Sequence, residues 1–103
     1  MIRHVVLRRF KDEASAAQRS ELALAFAGLK RDIAQITAME WGVNASAEGL
    51  DKGYTHCFVA SFAGTAERDA YLPHPAHQAF VAQLQPWLAD VLVVDYTPAG
   101  EAA

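Results

Sequence analysis

The four histidines His4, His56, His74 and His77, with Tyr71 shortly before the last pair and Asp95 near the C-terminus, are the side chains of this sequence whose types and placement suit proton exchange. Imidazole titrates near neutral pH, a tyrosine hydroxyl donates to a developing oxyanion, and a carboxylate fixes an imidazole's tautomer. A cavity that gathers three histidines, Tyr71 and Asp95 would serve general acid/base chemistry on a small molecule. Taken singly, each histidine reads first as a helix cap or a core residue satisfied by a backbone group. His74 and His77 have a spacing that a metal pair could use, but Pro75 stands between them and no cysteine or further ligand completes a set, so no metal is expected. Cys57 is the sole cysteine, too few for an internal disulfide, and no basic neighbour is apparent that would activate it as a nucleophile.

The elements that must position these groups follow from periodicity. Residues 2–10 (IRHVVLRRF) alternate as a strand, with Ile2, His4 and Val6 on one face and Val5 and Leu7 on the other. Ser15 and Gln18 have capping-box spacing, and Leu22, Phe26, Leu29 and Ile33 form one apolar stripe, which predicts a long helix to about Asp32. Residues 37–44 and 54–62 are extended and joined by a long polar loop. Thr65 caps a short helix that Pro73 stops; Pro75 opens another, carrying Phe80, Val81, Leu84 and Leu88, which Pro86 disturbs near its end. Residues 91–97 make a last strand closed by Pro98. The order β-α-β-β-α-α-β predicts an α+β, ferredoxin-like sandwich: an antiparallel four-stranded sheet with helices on one face. Both sheet faces are apolar, since Cys57 and Val59 oppose His56, Phe58 and Phe62, and Leu92 and Val94 oppose Val91 and Val93. Helices cover one face only, so a second copy of the chain is expected to cover the other as a homodimer, which lysine at Val5 or Val93 should break.

The chain has 103 residues, 52% of them hydrophobic and 20% charged, which is enough to pack one small domain over residues 1–98 followed by a tail, 99–103, expected to fray. A net charge of -3 without a basic stripe argues against nucleic-acid binding. No segment approaches the roughly 18–20 apolar residues of a membrane helix, and the N-terminus lacks a signal-peptide pattern. A cytoplasmic location with no membrane partner is the expectation.

The segments HVVLRRFKDEAS, EWGVNASAEGLDKGYTHCFVASF, YLPHPAHQAF and DVLVVDY, spanning His4 to Tyr96, together resemble the stress-responsive α/β-barrel (Dabb) domain family. The most specific piece is the His-Pro-Ala-His run at 74–77, closely preceded by Tyr71 and downstream of a Gly-Tyr-Thr-His strand. The resemblance implies a ferredoxin-like protomer whose sheets pair face to face as a dimeric α/β barrel. Members include stress-associated plant proteins and a plant polyketide cyclase that makes olivetolic acid. Likeness to the cyclase implies catalytic roles for His77, Tyr71, His4 and Asp95, with no cofactor, and places its second strand histidine at His56. His56, Phe26, Phe58 and Leu88 are expected to bind substrate. Two lining positions depart from the cyclase, which has aromatics where this chain has Leu88, beside Trp87, and Ala23.

The expected activity is that of a cofactor-free, polyketide-cyclase-like lyase or isomerase acting on a small hydrophobic or aromatic β-keto compound. His77, with one ring nitrogen held by Asp95 or by a backbone group, would take a proton from carbon beside a carbonyl, and Tyr71 would hydrogen-bond the enolate oxygen. Three alternatives stand beside it: a ligand-binding or stress-response dimer without catalysis, a structural role in which His77 and Pro75 fix a helix's entry, and a cofactor-free monooxygenase with a stacking wall from Trp41, Phe58 or Trp87.

Overall fold

The alternating N-terminal run forms β1 (Ile2–Phe10), whose even positions Ile2, His4, Val6, Arg8 and Phe10 are all buried. The computed structural model describes residues 1–101 of the chain. Ser15 caps α1 (Ala16–Ala27) through the expected reciprocal pair: its Oγ accepts the Gln18 N–H at 3.1 Å and Gln18 Oε1 accepts the Ser15 N–H at 2.8 Å. The expected continuous helix to Asp32 is interrupted. Gly28 ends α1, and a single further turn, α2 (Leu29–Asp32), follows before Ile33 turns extended. Glycine is a weak helix former, and the break lets both Leu29 and Ile33 bury into the core.

The remaining strands are β2 (Ile36–Val43), β3 (His56–Phe62) and β4 (Leu88–Tyr96), and the sheet order is β2-β3-β1-β4, antiparallel throughout. β3 starts two residues later than expected because Tyr54 and Thr55 remain in the loop. There Gly53 adopts φ 84, and Asp51 Oδ1 accepts its N–H at 2.9 Å. β4 starts three residues earlier than expected, since an irregularity at Arg9/Phe10 lets Phe10 pair with Leu88. The last helices are α3 (Thr65–Tyr71) and α4 (Pro75–Leu84), followed by a tight turn at Gln85–Trp87 where Pro86 removes a backbone donor. Gly64, not Thr65, occupies the cap position of α3, and Thr65 is its first helical residue. Ala99 and Gly100 form a turn closed by Glu101 N–H to Pro98 C=O at 3.1 Å, while Ala102 and Ala103 of the expected tail lie outside the described residues.

Helices cover only the even-numbered face of β1. The protomer measures 41 × 34 × 17 Å, the thickness of one sheet and one helix layer. On the opposite face Val5 and Leu7 pair with Val94 and Leu92 on one side and with Val59 and Cys57 on the other. Leu92 and Val94 are 44% and 52% exposed. Charged residues rim this apolar centre: Arg3 and Arg9 on β1, Glu40 opposite Val59, and Asp90 opposite Arg9. The register corrects one expectation. Val93 pairs with Val6, so its side chain is on the helix side with His4 and Arg8; the open-face residue of that pair of neighbours is Val94. Among the described residues, no helix is long and apolar enough to cross a membrane.

Candidate active site

The two short helices that meet at residues 71–75 set the site. Tyr71 is the last residue of α3, and Pro73 cannot supply the N–H that would continue the helix. His74 then caps α4 by accepting the Ala76 N–H at its Nδ1, 3.1 Å away, with Pro75 as the first helical residue. The carbonyl of Leu72 is left without a helical partner, as carbonyls at helix ends are. It accepts two side-chain bonds from the first turns of α4, His77 Nδ1 at 2.8 Å and Gln78 Nε2 at 2.8 Å. A carbonyl only accepts, so Nδ1 of His77 carries the proton and Nε2 keeps its lone pair. Burial pushes the His77 pKa below the ordinary histidine value, outweighing the bond to Leu72, with His4, Arg8 and His74 adding in the same direction as burial. His77 is therefore a neutral imidazole near neutral pH.

Tyr71 packs at a tilt against this ring, centroid to centroid 4.3 Å, and edge-to-face against His4 at 5.7 Å. It is fully buried, and its hydroxyl has no hydrogen-bond partner among the described residues. Burial pushes its pKa up to about 12, so the phenol stays protonated and available as a donor. His4 completes the group from β1. Its Nδ1 bonds Asp95 Oδ1 at 2.7 Å across the β1–β4 pair, and Asp95 Oδ2 accepts from Arg68 Nη1 at 2.6 Å. With both carboxylate oxygens accepting, His4 donates from Nδ1, which holds its ring plane fixed against Tyr71.

These side chains converge on a cavity of about 250 Å³ between the helices and the sheet, lined by His4, Tyr71, His77 and Arg8 and walled by apolar residues that include Phe26, Leu84, Leu88 and Val93. Of the residues singled out in the sequence, His4, Tyr71, His77, Phe26 and Leu88 share it, and Asp95 stands behind His4. His56 does not. Its Nδ1 pairs with Thr55 Oγ1 at 2.8 Å, and its ring lies edge-on to Phe10 and stacked on Trp41, on the far side of Arg8's strand position. Phe58 sits behind Phe26, centroids 4.8 Å apart, supporting the wall without forming it. Asp95 holds His4, and the second nitrogen of His77 is held by the backbone of Leu72. His74 and His77 spend their Nδ1 atoms on a cap and a carbonyl, and among the described residues no three His, Cys, Asp or Glu side chains are arranged to hold a metal.

Two residues absent from the sequence expectations enter the site. Arg68, on α3, joins the helix layer to Asp95. Arg8 is 4% exposed, and its guanidinium lies over the rings of Phe26, Phe58 and Phe80 at 4.2, 4.7 and 4.9 Å. The signal for Arg8 was available in its even position on β1, the same parity as His4 and Val6. Its charge disguised it, because an arginine in a strand ordinarily marks the solvent face.

Residues 2–98 match the model of the stress responsive A/B barrel domain family. Over 97 residues the chain is 38% identical to the stress-response A/B barrel domain-containing protein HS1 of Arabidopsis thaliana, covering 94% of this chain and 89% of HS1. It is 29% identical over 97 residues to olivetolic acid cyclase of Cannabis sativa, covering 94% of this chain and 96% of the cyclase. Among solved structures, it resembles a dimeric ferredoxin-like protein of unknown function from Thermobifida fusca, with a TM-score of 0.77 at 31% identity over 93% of this chain and 89% of that one.

Proposed function

This chain belongs to the stress-responsive A/B barrel domain family, and within that family we propose that it is a homodimeric, cofactor-independent lyase or cyclase that moves protons on a small β-keto compound. The observation that carries this reading is the hydrogen bond of His77 Nδ1 to the Leu72 carbonyl: it leaves Nε2 as the basic nitrogen, and Tyr71, whose ring packs on His77 and whose hydroxyl is unpartnered among the described residues, lines the same cavity. Nε2 accepts a proton from the carbon next to a carbonyl. The bonding pair of that C–H becomes the carbon–carbon π bond of the enolate, the carbonyl π pair moves to oxygen, and Tyr71 O–H donates to the enolate oxygen so formed. The enolate carbon then attacks a second carbonyl of the same molecule, and the imidazolium returns its proton to the new alkoxide. Atoms and charge balance with no oxidant or metal in the cycle. His4, held by Asp95 and Arg68, positions the Tyr71 ring from the floor of the cavity.

Homodimerisation is supported by the apolar open face and by the dimeric description of the Thermobifida fusca relative. The olivetolic acid cyclase relative supports the reaction class. The test is turnover of a panel of β-diketones and β-keto thioesters: His77→Ala is expected to lower turnover of an accepted substrate by about 100- to 10,000-fold, the usual size of a general-base contribution, with fold and dimer intact. Near wild-type turnover by a folded His77→Ala protein contradicts the reading.

A further inference from the structure

The catalytic reading leaves the charge of Arg8 unused. The three phenylalanine rings around its guanidinium offer π faces but no hydrogen-bond acceptors, and Nε and Nη1 have no partner among the described residues. Asp95, the carboxylate of this site, has one oxygen on His4 and the other on Arg68, so it does not answer the charge of Arg8. A buried charge without a paired acceptor is costly, and an apolar side chain of similar volume would serve packing at least as well. An arginine here is explained by something that is not part of the protomer's own packing. Arg8 also lines the cavity, beside the second unpartnered donor, Tyr71, and each of the two perturbs the other's titration. Burial pushes the Arg8 pKa down to about 10, which still leaves it charged at neutral pH.

We propose that the cavity binds small carboxylates, the carboxylate paired with the Arg8 guanidinium and the apolar body of the ligand against Phe26, Leu84, Leu88 and Val93. A planar guanidinium matches a carboxylate in two parallel hydrogen bonds. The cavity, at about 250 Å³, lies below the roughly 300–1,000 Å³ usual for drug-sized ligands, so the acid is small. A keto acid satisfies both orphaned donors together, its carboxylate on Arg8 and its keto oxygen on Tyr71. This inference rests on the cavity being the ligand site, as in the reading above, and does not require turnover.

The test is a titration of the intact dimer with phenylacetate and, separately, with phenylacetamide, which has the same size and shape but no charge. Binding is followed by calorimetry and by the Arg8 Nε–H resonance. Phenylacetate is expected to bind at least about ten-fold more tightly, the worth of a charge-assisted hydrogen bond, and to shift the Arg8 Nε–H signal. Arg8→Met is expected to abolish the preference. Equal affinity for the two compounds, no binding of either at millimolar concentration, or a preference that survives in Arg8→Met overturns the inference. Should Arg8→Met not fold, the wild-type comparison and the Nε–H shift decide alone. A carboxylate preference without turnover of any keto compound removes the catalytic reading and leaves this inference standing, while turnover without the preference does the reverse.

Discussion

Tyr71→Phe should make the unliganded protein more stable. The ring is fully buried and packs on His4, Phe62 and His77 with centroid separations of 5.7, 5.1 and 4.3 Å, and phenylalanine keeps all three contacts. What it removes is a hydroxyl that has no hydrogen-bond partner among the described residues. Leaving a buried donor unsatisfied costs about 1–3 kcal/mol, and the small void left by the missing oxygen returns part of that. A net gain of about 1 kcal/mol follows, which for a domain of this size raises Tm by roughly 4–8 °C. The assay is urea unfolding of wild type and Tyr71→Phe at one fixed protein concentration, because stability in a dimer depends on concentration. The midpoint should rise with the slope unchanged. A loss of about 1 kcal/mol or more would mean that the hydroxyl has a partner in the resting protein, and the case for Tyr71 as a donor held ready for a ligand would fail.

Three other outcomes are expected. Val94→Lys, which places an ammonium in the apolar centre of the open face once per subunit, should weaken the dimer by about 1,000-fold or more, since each buried unpaired ion costs several kcal/mol; sedimentation equilibrium showing an unchanged dimer counts against that face as the interface. Arg8→Met should leave the unfolding free energy unchanged or raise it by up to about 3 kcal/mol, because burial already holds the guanidinium's pKa down at about 10 against a usual 12.5; a clear loss of stability in denaturant melts would assign Arg8 a structural role instead. The rate of proton abstraction should rise with pH through a pKa below the usual 6.5 of histidine and be flat by neutrality, because burial depresses His77 and the unprotonated ring is the active form; a rise centred above pH 7 would exclude His77 as the base.

Much of this architecture was legible in the sequence because the run of β1 alternates clearly and the capping and proline signals are local. The parity that puts Ile2, His4 and Val6 on one face of β1 also fixes the opposite face, Val5 and Leu7, and the register with β4 then carries Asp95 to His4. The capping box at Ser15 and Pro75 at the first turn of α4 are local signals, and local signals survive folding well. What was not legible depends on long-range packing. The Gly28 break is decided by where Leu29 and Ile33 find the core, not by helical periodicity, which continues through it. His56 has the parity of the cavity wall and pairs with Arg8, but the cavity lies on the β4 side of β1 while Phe10 and Trp41 enclose His56 on the β3 side, and strand order is not visible in alternation. Tyr71 and His77, six residues apart, meet only because the chain reverses through Pro73 and Pro75, which the two prolines foreshadow but do not specify.

The arrangement also separates two tasks that a single histidine cannot perform at once. His77 offers an unprotonated Nε2 because a carbonyl, which carries no net charge, holds its other nitrogen. His4, held by the Asp95 carboxylate that Arg68 also grips, is locked in plane against the tyrosine and acts through it as a positioning residue.

The central claim, that His77 abstracts a proton from carbon while Tyr71 stabilises the enolate, is tested most directly by exchange of α-protons for deuterium in heavy water, followed by proton NMR on a panel of small β-keto compounds. Exchange requires only the first chemical step and so needs no knowledge of the final product. Wild type is predicted to speed exchange of at least one panel member well beyond buffer, His77→Ala to lose about 100-fold or more of that acceleration, and Tyr71→Phe to lose a comparable share while remaining folded. Exchange at the buffer rate with every compound, or equal acceleration by wild type and both variants, would contradict the account.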